Sequence, residues 1–291
     1  MWLTVLLLNN HTIPKISIVS PSYNQGVFLE QTMLSILDQG YPDLEYIVID
    51  GGSSDHSLEI IKKYENRLAY WVSEQDNGQY HAINKGFGHA TGEIMAWLNS
   101  DDMYLPWTLQ CVGEIFSRYP EVKWLTSCFP MSSNQQGVPV YCRAVAGGFS
   151  REGFLQGENF AGGDWYNKGY IQQESTFWRR ELWEKAGGRV NEKFGLAADF
   201  ELWTRFFEYA DLVGVEVPLA LFRNQPAQRS SVNAQEYIAE CHGILKRHGG
   251  GVPHPIKKYL QQKFPGFFIA KGRTSNARLK YREGDGWVLC K

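Results

Sequence analysis

Residues 16–24, Ile16-Ser17-Ile18-Val19-Ser20-Pro21-Ser22-Tyr23-Asn24, and residues 46–55, Tyr46-Ile47-Val48-Ile49-Asp50-Gly51-Gly52-Ser53-Ser54-Asp55, share one plan. Each is a short β-branched run that empties into a turn of Ser, Asn, Gly or Asp. The plan returns at 68–72 and 94–98, and these runs are too continuously apolar for a sheet with one wet face. Between them, residues 28–37 and 58–64 carry apolar side chains at helical spacing, and 82–89 follows more weakly. This alternation predicts an α/β fold, a mostly parallel central sheet flanked by helices. In such sheets ligands gather at the carboxyl ends of the strands.

The predicted strand ends are polar, as a site there requires. After the first comes Pro21-Ser22-Tyr23-Asn24, after the second Asp50-Gly51-Gly52-Ser53-Ser54-Asp55, after the third Asp76-Asn77-Gly78, and after the fourth Asn99-Ser100-Asp101-Asp102. Any one of these is an ordinary turn. Together they describe a single rim. Beyond about residue 105 the pattern loosens: 122–127 and 138–145 read as strands, and a stretch with Gly147, Gly148, Gly153, Gly157, Gly162 and Gly163 reads as mobile loop.

The chain has 291 residues, 43% hydrophobic and 21% charged, enough for one large domain or a domain with a lobe, and it excludes disorder as the main state. A formal charge of −2 offers no field for nucleic acid. Residues 246–291 hold 11 Lys/Arg against 2 Asp/Glu, leaving 18 against 29 on the rest. Five dispersed cysteines without a C-x-x-C pair predict reduced thiols in a cytosolic protein, with neither disulfide scaffold nor structural zinc. The apolar run at residues 2–8 is far short of the ~20 residues a membrane span needs, so neither a span nor a secretion signal is expected.

Asp101 and Asp102 offer hard oxygen ligands suited to Mg²⁺ or Mn²⁺ completed by a ligand's phosphates. Either one could instead cap the helix that follows. Asp50 could accept from the N–H of a nucleobase, and Tyr23 could stack on it. No G-x-G-x-x-G follows the first strand, and neither a P-loop nor a G-x-S-x-G occurs, which removes the main support for hydride transfer, P-loop phosphoryl transfer and acyl transfer. His81 and His89 are expected to be structural.

Read in order, Ser20-Pro21-Ser22-Tyr23-Asn24, Ile49-Asp50-Gly51-Gly52-Ser53-Ser54-Asp55, Asp76-Asn77-Gly78 with Ala82-Ile83-Asn84-Lys85-Gly86, Ala90-Thr91-Gly92-Glu93 and Asn99-Ser100-Asp101-Asp102 resemble family 2 glycosyltransferases of the GT-A fold. The likeness covers about residues 15–230. It implies a Rossmann-like sheet with a small acceptor-side subdomain, and an inverting hexosyltransferase-type reaction from a nucleoside diphosphate sugar to an acceptor hydroxyl. The donor-binding residues it implies are Pro21, Tyr23, Asn24, Asp50, Gly78, Lys85, Asn99, Ser100, Asp101 and Arg223. Asp101 and Asp102 are the implied ligands of a divalent metal, Mn²⁺ or Mg²⁺. Asn99 stands where the family's D-x-D motif has its first acid, and Gln225 stands at the family's His position in Arg223-Asn224-Gln225-Pro226-Ala227-Gln228, which weakens the metal expectation. Arg223 or Lys85 could then face the leaving group.

The segment Ala197-Ala198-Asp199-Phe200-Glu201-Leu202-Trp203 resembles the family's catalytic-base segment, with Asp199 matching the Asp of a Glu-Asp pair and Ala198 replacing its Glu. The competing reading is a helix cap with Phe200, Trp203 and Phe207 facing the core. Gln173, Glu174 and Trp203 are expected on the acceptor side. The Gln-x-x-Arg-Trp motif of processive members is absent, so one sugar per encounter is expected.

These readings divide the chain into a transferase domain at 1–245, its donor half 15–104 and acceptor half 105–245, and a helical basic extension at 246–291. In that extension Lys257, Lys258, Lys263, Lys271 and Arg273 interleave with aromatics, as on a solvated basic helix that packs its aromatics on the main body or on a surface that rests on anionic lipid. The expected partners are a nucleotide sugar and a glycan or lipid-linked acceptor of surface polysaccharide synthesis. The expected location is cytoplasmic or peripheral at the inner face of a membrane. The competing class is a non-catalytic nucleotide-sugar or glycan-binding module that keeps the fold, with Asn99, Ala198 and Gln225 as its evidence; a nucleotidyltransferase lacks its Gly-rich basic loop here.

Overall fold

A computed structural model describes residues 12–145, 148–159, 169–226, 228, 232–251 and 277–290. The apolar run at 2–8, the glycines Gly147, Gly162 and Gly163, and the tail residues Lys257, Lys258, Lys263, Lys271 and Arg273 lie outside them.

The first half is built as its alternation predicts: β1 (Ile16–Ser22), α1 (Gly26–Leu37), β2 (Leu44–Asp50), α2 (Ser57–Tyr64), β3 (Tyr70–Ser73), α3 (Gln79–His89) and β4 (Ile94–Trp97). Every residue of β1 and β4 is buried, which is why their sequences are apolar without alternation. Helix α1 buries Leu29, Met33, Ile36 and Leu37, one stripe at helical spacing. The second half adds β5 (Met103–Tyr104), α4 (Thr108–Arg118), β6 (Trp124–Ser127), β7 (Met131–Ser133), β8 (Pro139–Cys142), α5 (Arg151–Leu155), a 3-10 turn (Gln173–Ser175), β9 (Phe177–Arg179), α6 (Arg180–Lys185), α7 (Ala198–Phe206), β10 (Val213–Val215), β11 (Ala220–Arg223), α8 (Ala234–Arg247), β12 (Arg278–Arg282) and β13 (Gly286–Cys290). Among the described residues one sheet runs β13-β12-β10-β6-β9-β4-β1-β2-β3, and a second runs β5-β11-β7-β8. Strands β4, β1, β2 and β3 are mutually parallel, and β9 is the antiparallel strand that joins them to β6.

Residues 277–290 correct one expectation. The described end of the basic extension is a β-hairpin, paired parallel to β10, and not a helix. Its period is two: Leu279 is buried, while Arg278 and Lys280 reach Glu216 at 3.4 and 3.2 Å. Aromatic packing welds the halves together. Trp97 of β4, Trp124 of β6, Trp178 of β9 and Trp203 of α7 are all buried, with Trp97 and Trp203 stacked at 6.0 Å and Trp124 tilted against Trp203 at 5.6 Å.

At the amino ends of the strands one carboxylate ties three segments together. Glu45 accepts Ser17 Oγ at 2.5 Å, Thr91 N at 2.6 Å and Thr91 Oγ1 at 2.7 Å, and pairs with Lys15 at 3.2 Å. Gly92 N donates to Ser17 Oγ at 2.7 Å, and a Cβ at Gly92 would lie 2.5 Å from that oxygen. The Ala90-Thr91-Gly92-Glu93 string is therefore a structural knot, extended by the pairing of Glu93 with buried Arg179. Burial alone would raise the Glu45 carboxyl, but its hydrogen bonds outweigh that and hold it at about 2 against an ordinary 4.5. The stabilisation is complete above pH 4.5 and is lost as pH falls toward 2. Glu45→Gln should lower the Tm at pH 7 by about 3–8 °C, with the difference from the parent shrinking below pH 4.5 in pH-dependent melting.

Candidate active site

The carboxyl ends of β1 and β2 are stitched into one loop pair. Asn24, at φ 51 in the left-handed region, accepts Ser54 N on its side-chain oxygen at 2.8 Å, and its own amide donates to Ser53 Oγ at 2.8 Å. Asp55 accepts Gly26 N at 2.8 Å where α1 begins. Tyr23 is 62% exposed above this frame, while Pro21 is buried at the end of β1.

Asp50 is placed differently from a base acceptor. It is fully buried, and its carboxylate takes Ser53 N at 2.9 Å, Ser73 Oγ at 2.7 Å, Gly52 N at 3.2 Å and Ser53 Oγ at 2.5 Å. Its acceptor sites are spent holding the 51–55 turn against β3. The acid that shares this end of the rim is Asp76: Gly78 N donates to its Oδ1 at 2.7 Å, and its Oδ2 lies 2.9 Å from where a Cβ on Gly51 would stand. Gly51 is small because Asp76 crosses it. The sequence showed Asp76 only as part of a turn. Lys85, expected near a leaving group, pairs with Glu74.

Past β4, three acids crowd together. Asp101 Oδ2 accepts Gln225 Nε2 at 2.5 Å, Asp102 Oδ1 accepts Arg223 N at 2.8 Å, and Asp102 Oδ2 accepts Asn99 Nδ2 at 3.3 Å. Burial, and then the charge of Asp101 and Glu174, pushes the Asp102 carboxyl well above the usual carboxylate range. Burial raises Asp101 as well. Glu174, in the buried 3-10 turn, is raised by burial to about 7 although it hydrogen-bonds with Asp102. Asn99 also receives Gln79 Nε2 at 2.7 Å and reaches Gln173 Oε1 at 3.4 Å, while Gln173 Nε2 donates to Trp97 O at 2.8 Å. The carbonyl of Ser100 is held by Thr32 Oγ1 at 2.9 Å.

Arg223 is the counter-charge to these acids and also their frame. Fully buried at the end of β11, it donates Nε to Asp101 O and Nη1 to Gln135 O at 2.5 Å each and Nη2 to Gln31 Oε1 at 2.9 Å, with its guanidinium 4.9 Å from the Phe28 ring centroid. Its Nε and both Nη atoms thus each donate to protein, which fixes the guanidinium in place beside the acids.

Asp199 lies in the first turn of α7, half-buried, with Phe200 N donating to Oδ1 at 2.7 Å. Burial raises it to about 6. The charges of Asp199 and Asp101 both raise Glu174 further, after burial. Helix α3 ties these parts together: Tyr80 Oη donates to Leu196 O at 2.7 Å, and Asn84 exchanges hydrogen bonds with Val190 at 2.8 and 2.9 Å. Trp203, expected on the acceptor side, is 1% exposed in the tryptophan core and supports α7 from behind. Among the described residues no group of three or more His, Cys, Asp or Glu is arranged to hold a metal ion by itself, and no helix is long and apolar enough to cross a membrane.

The comparisons with known proteins agree with this architecture. Residues 17–122 match the model of Glycosyl transferase family 2. An uncharacterized glycosyltransferase of Mycobacterium tuberculosis is 39% identical over 277 residues, covering 93% of this chain and 92% of its own. A GalNAc(5)-diNAcBac-PP-undecaprenol beta-1,3-glucosyltransferase of Campylobacter jejuni is 34% identical over 97 residues, 32% of this chain and 31% of its own. The mannosyltransferase PcManGT of Pyrobaculum calidifontis, solved with GDP-Man and Mn²⁺, superposes with a TM-score of 0.58 at 20% identity over 89% of this chain and 74% of its own, a likeness of fold. A doubly covered sheet with its acids gathered at one rim, joined to full-length similarity at 39% identity, makes this chain a member of glycosyl transferase family 2.

Proposed function

We propose that this glycosyltransferase moves a sugar from a nucleoside diphosphate sugar to a hydroxyl of a glycan or lipid-linked acceptor in surface polysaccharide synthesis, with inversion at the anomeric carbon. The observation that supports the reading is the clustering of Asn99, Asp101, Asp102 and Gln173-Glu174 past β4, with helix α3 hydrogen-bonded both to Asn99 through Gln79 and to the segment that leads into Asp199 through Tyr80, so that a diphosphate and an acceptor hydroxyl can flank one sugar. The Campylobacter relative, by its name, acts on an undecaprenol-linked glycan, which supports the acceptor class.

In this reading Asp199 takes the proton of the acceptor hydroxyl, the oxygen attacks the anomeric carbon, and the bond to the diphosphate oxygen breaks with its electron pair leaving on that oxygen. Tyr23 stacks on the base, and Asp76 rather than Asp50 offers a carboxylate oxygen at that end of the rim. Asp101 and Asp102 would hold a divalent cation whose charge offsets that of the departing diphosphate. The donor set fits: both offer hard oxygen ligands with Arg223 close by, and burial, which disfavours their ionised form, is a cost that a bound cation would offset. The donor's phosphates would complete the coordination.

Asp199→Asn should lower kcat about 10²–10⁴-fold with donor KM little changed, measured as nucleoside diphosphate release from a panel of UDP- and GDP-sugars. Near-parental turnover would exclude Asp199 as the base. Because the base form is lost below about pH 6, kcat/KM should fall about tenfold per unit under that pH. Chelation with EDTA should abolish transfer and Mn²⁺ should restore it, with Asp101→Asn needing more Mn²⁺ than the parent; full activity in EDTA would leave the leaving group to protein charges alone.

A further inference from the structure

The loop that delivers Asp199 has no cap of its own. Ala197, at the cap position of α7, carries no side-chain acceptor, and the segment just before the helix is held from outside it. The acceptor lies on α8, some forty residues later in the chain. Glu240 Oε1 accepts Gly195 N at 2.7 Å, and its Oε2 accepts Leu196 N at 3.0 Å and Ala197 N at 2.8 Å. Three consecutive amides thus converge on one carboxylate. From the other side, Tyr80 Oη of α3 receives Ala198 N at 3.4 Å and donates to Leu196 O.

We propose that Glu240 is the positioning residue for Asp199, anchoring the 195–197 segment across the gap between α8 and α7 and placing a fixed negative charge behind the base. The inference rests on the reading of Asp199 as the base. A carboxylate bound by three backbone amides makes charge-assisted hydrogen bonds, stronger than neutral ones. It fixes the backbone immediately before Asp199. Its negative charge also disfavours ionisation of Asp199, adding to the effect of burial and making the base a better proton acceptor once ionised.

Among the described residues, the titratable groups that interact with Asp199 include Glu240, Tyr237 and Cys241 of α8 and Glu174 of the 3-10 turn, while Tyr80 of α3 bonds the backbone on either side of Ala197. Burial pushes the Tyr237 hydroxyl and the Cys241 thiol upward, so both stay neutral in the range where Asp199 titrates. On α8, the charge that acts on Asp199 is therefore that of Glu240. Helix α8 is held in place by Cys241, Ile244 and Leu245, which are buried and lie beyond Glu240 on the same helix, so the anchor has a rigid mount.

The test uses the full chain with Glu240→Gln and Glu240→Ala. Glutamine keeps the shape and one acceptor oxygen but loses the charge; alanine loses both. Hydrogen–deuterium exchange of the peptide spanning residues 195–198 should accelerate in Glu240→Ala. With the sugar donor selected by the panel above, kcat should fall about tenfold or more while donor KM holds, and the acid limb of kcat/KM in Glu240→Gln should move to lower pH. An unchanged exchange rate and an unmoved acid limb would overturn the proposal, and so would a loss of activity with the acid limb in place, which marks a merely structural role. A fully active Asp199→Asn enzyme would instead remove the base reading, a result separate from the exchange measurement.

Discussion

A carboxylate buried beside other carboxylates is tolerated only where the protein or a ligand supplies compensating donors or charge. That constraint organises this molecule. Asp101, Asp102 and Glu174 lie together under the rim, and the second sheet is built so that Arg223, at the end of β11, lashes both aspartates while Gln225 and Asn99 take up remaining oxygens. These bonds do not offset the burial, which together with the neighbouring acids raises the Asp102 and Glu174 carboxyls. Burial of this kind disfavours the ionised carboxylates, a cost that a bound positive charge would offset.

The two ends of the main sheet divide the labour. At the amino ends, Glu45 sits in a saturated knot with Ser17, Thr91 and Lys15, and its depressed carboxyl marks a purely stabilising group. At the carboxyl ends, Asp102, Glu174 and Asp199 are all raised, the opposite sign, because burial there is not matched by donors. Same residue types, opposite shifts: the difference lies in the number of hydrogen bonds each carboxylate receives. Helix α3 bridges the regions, with Tyr80 and Asn84 reaching to the segments that lead into α7.

The alternation of the first half and the family were legible in the sequence alone, because parallel strands buried on both faces must be continuously apolar and their ends must turn in polar residues. What each polar residue does was not. Asp50 and Asp76 both follow strands, yet Asp50 is consumed by the turn it starts while Asp76 keeps an oxygen toward Gly51. Arg223 was read as a ligand contact and proves to be a buried brace; Trp203 was read as acceptor-side and stacks in the core; the basic end of the chain was read as helical, and its described part is a hairpin closing the sheet. Glu240 gave no signal, since nothing in a local pattern marks a carboxylate whose partners lie more than forty residues away. Periodicity and turn chemistry are local properties that a sequence carries on its face, whereas the partners of a buried charge are set by which distant segments meet, and tertiary structure alone decides that.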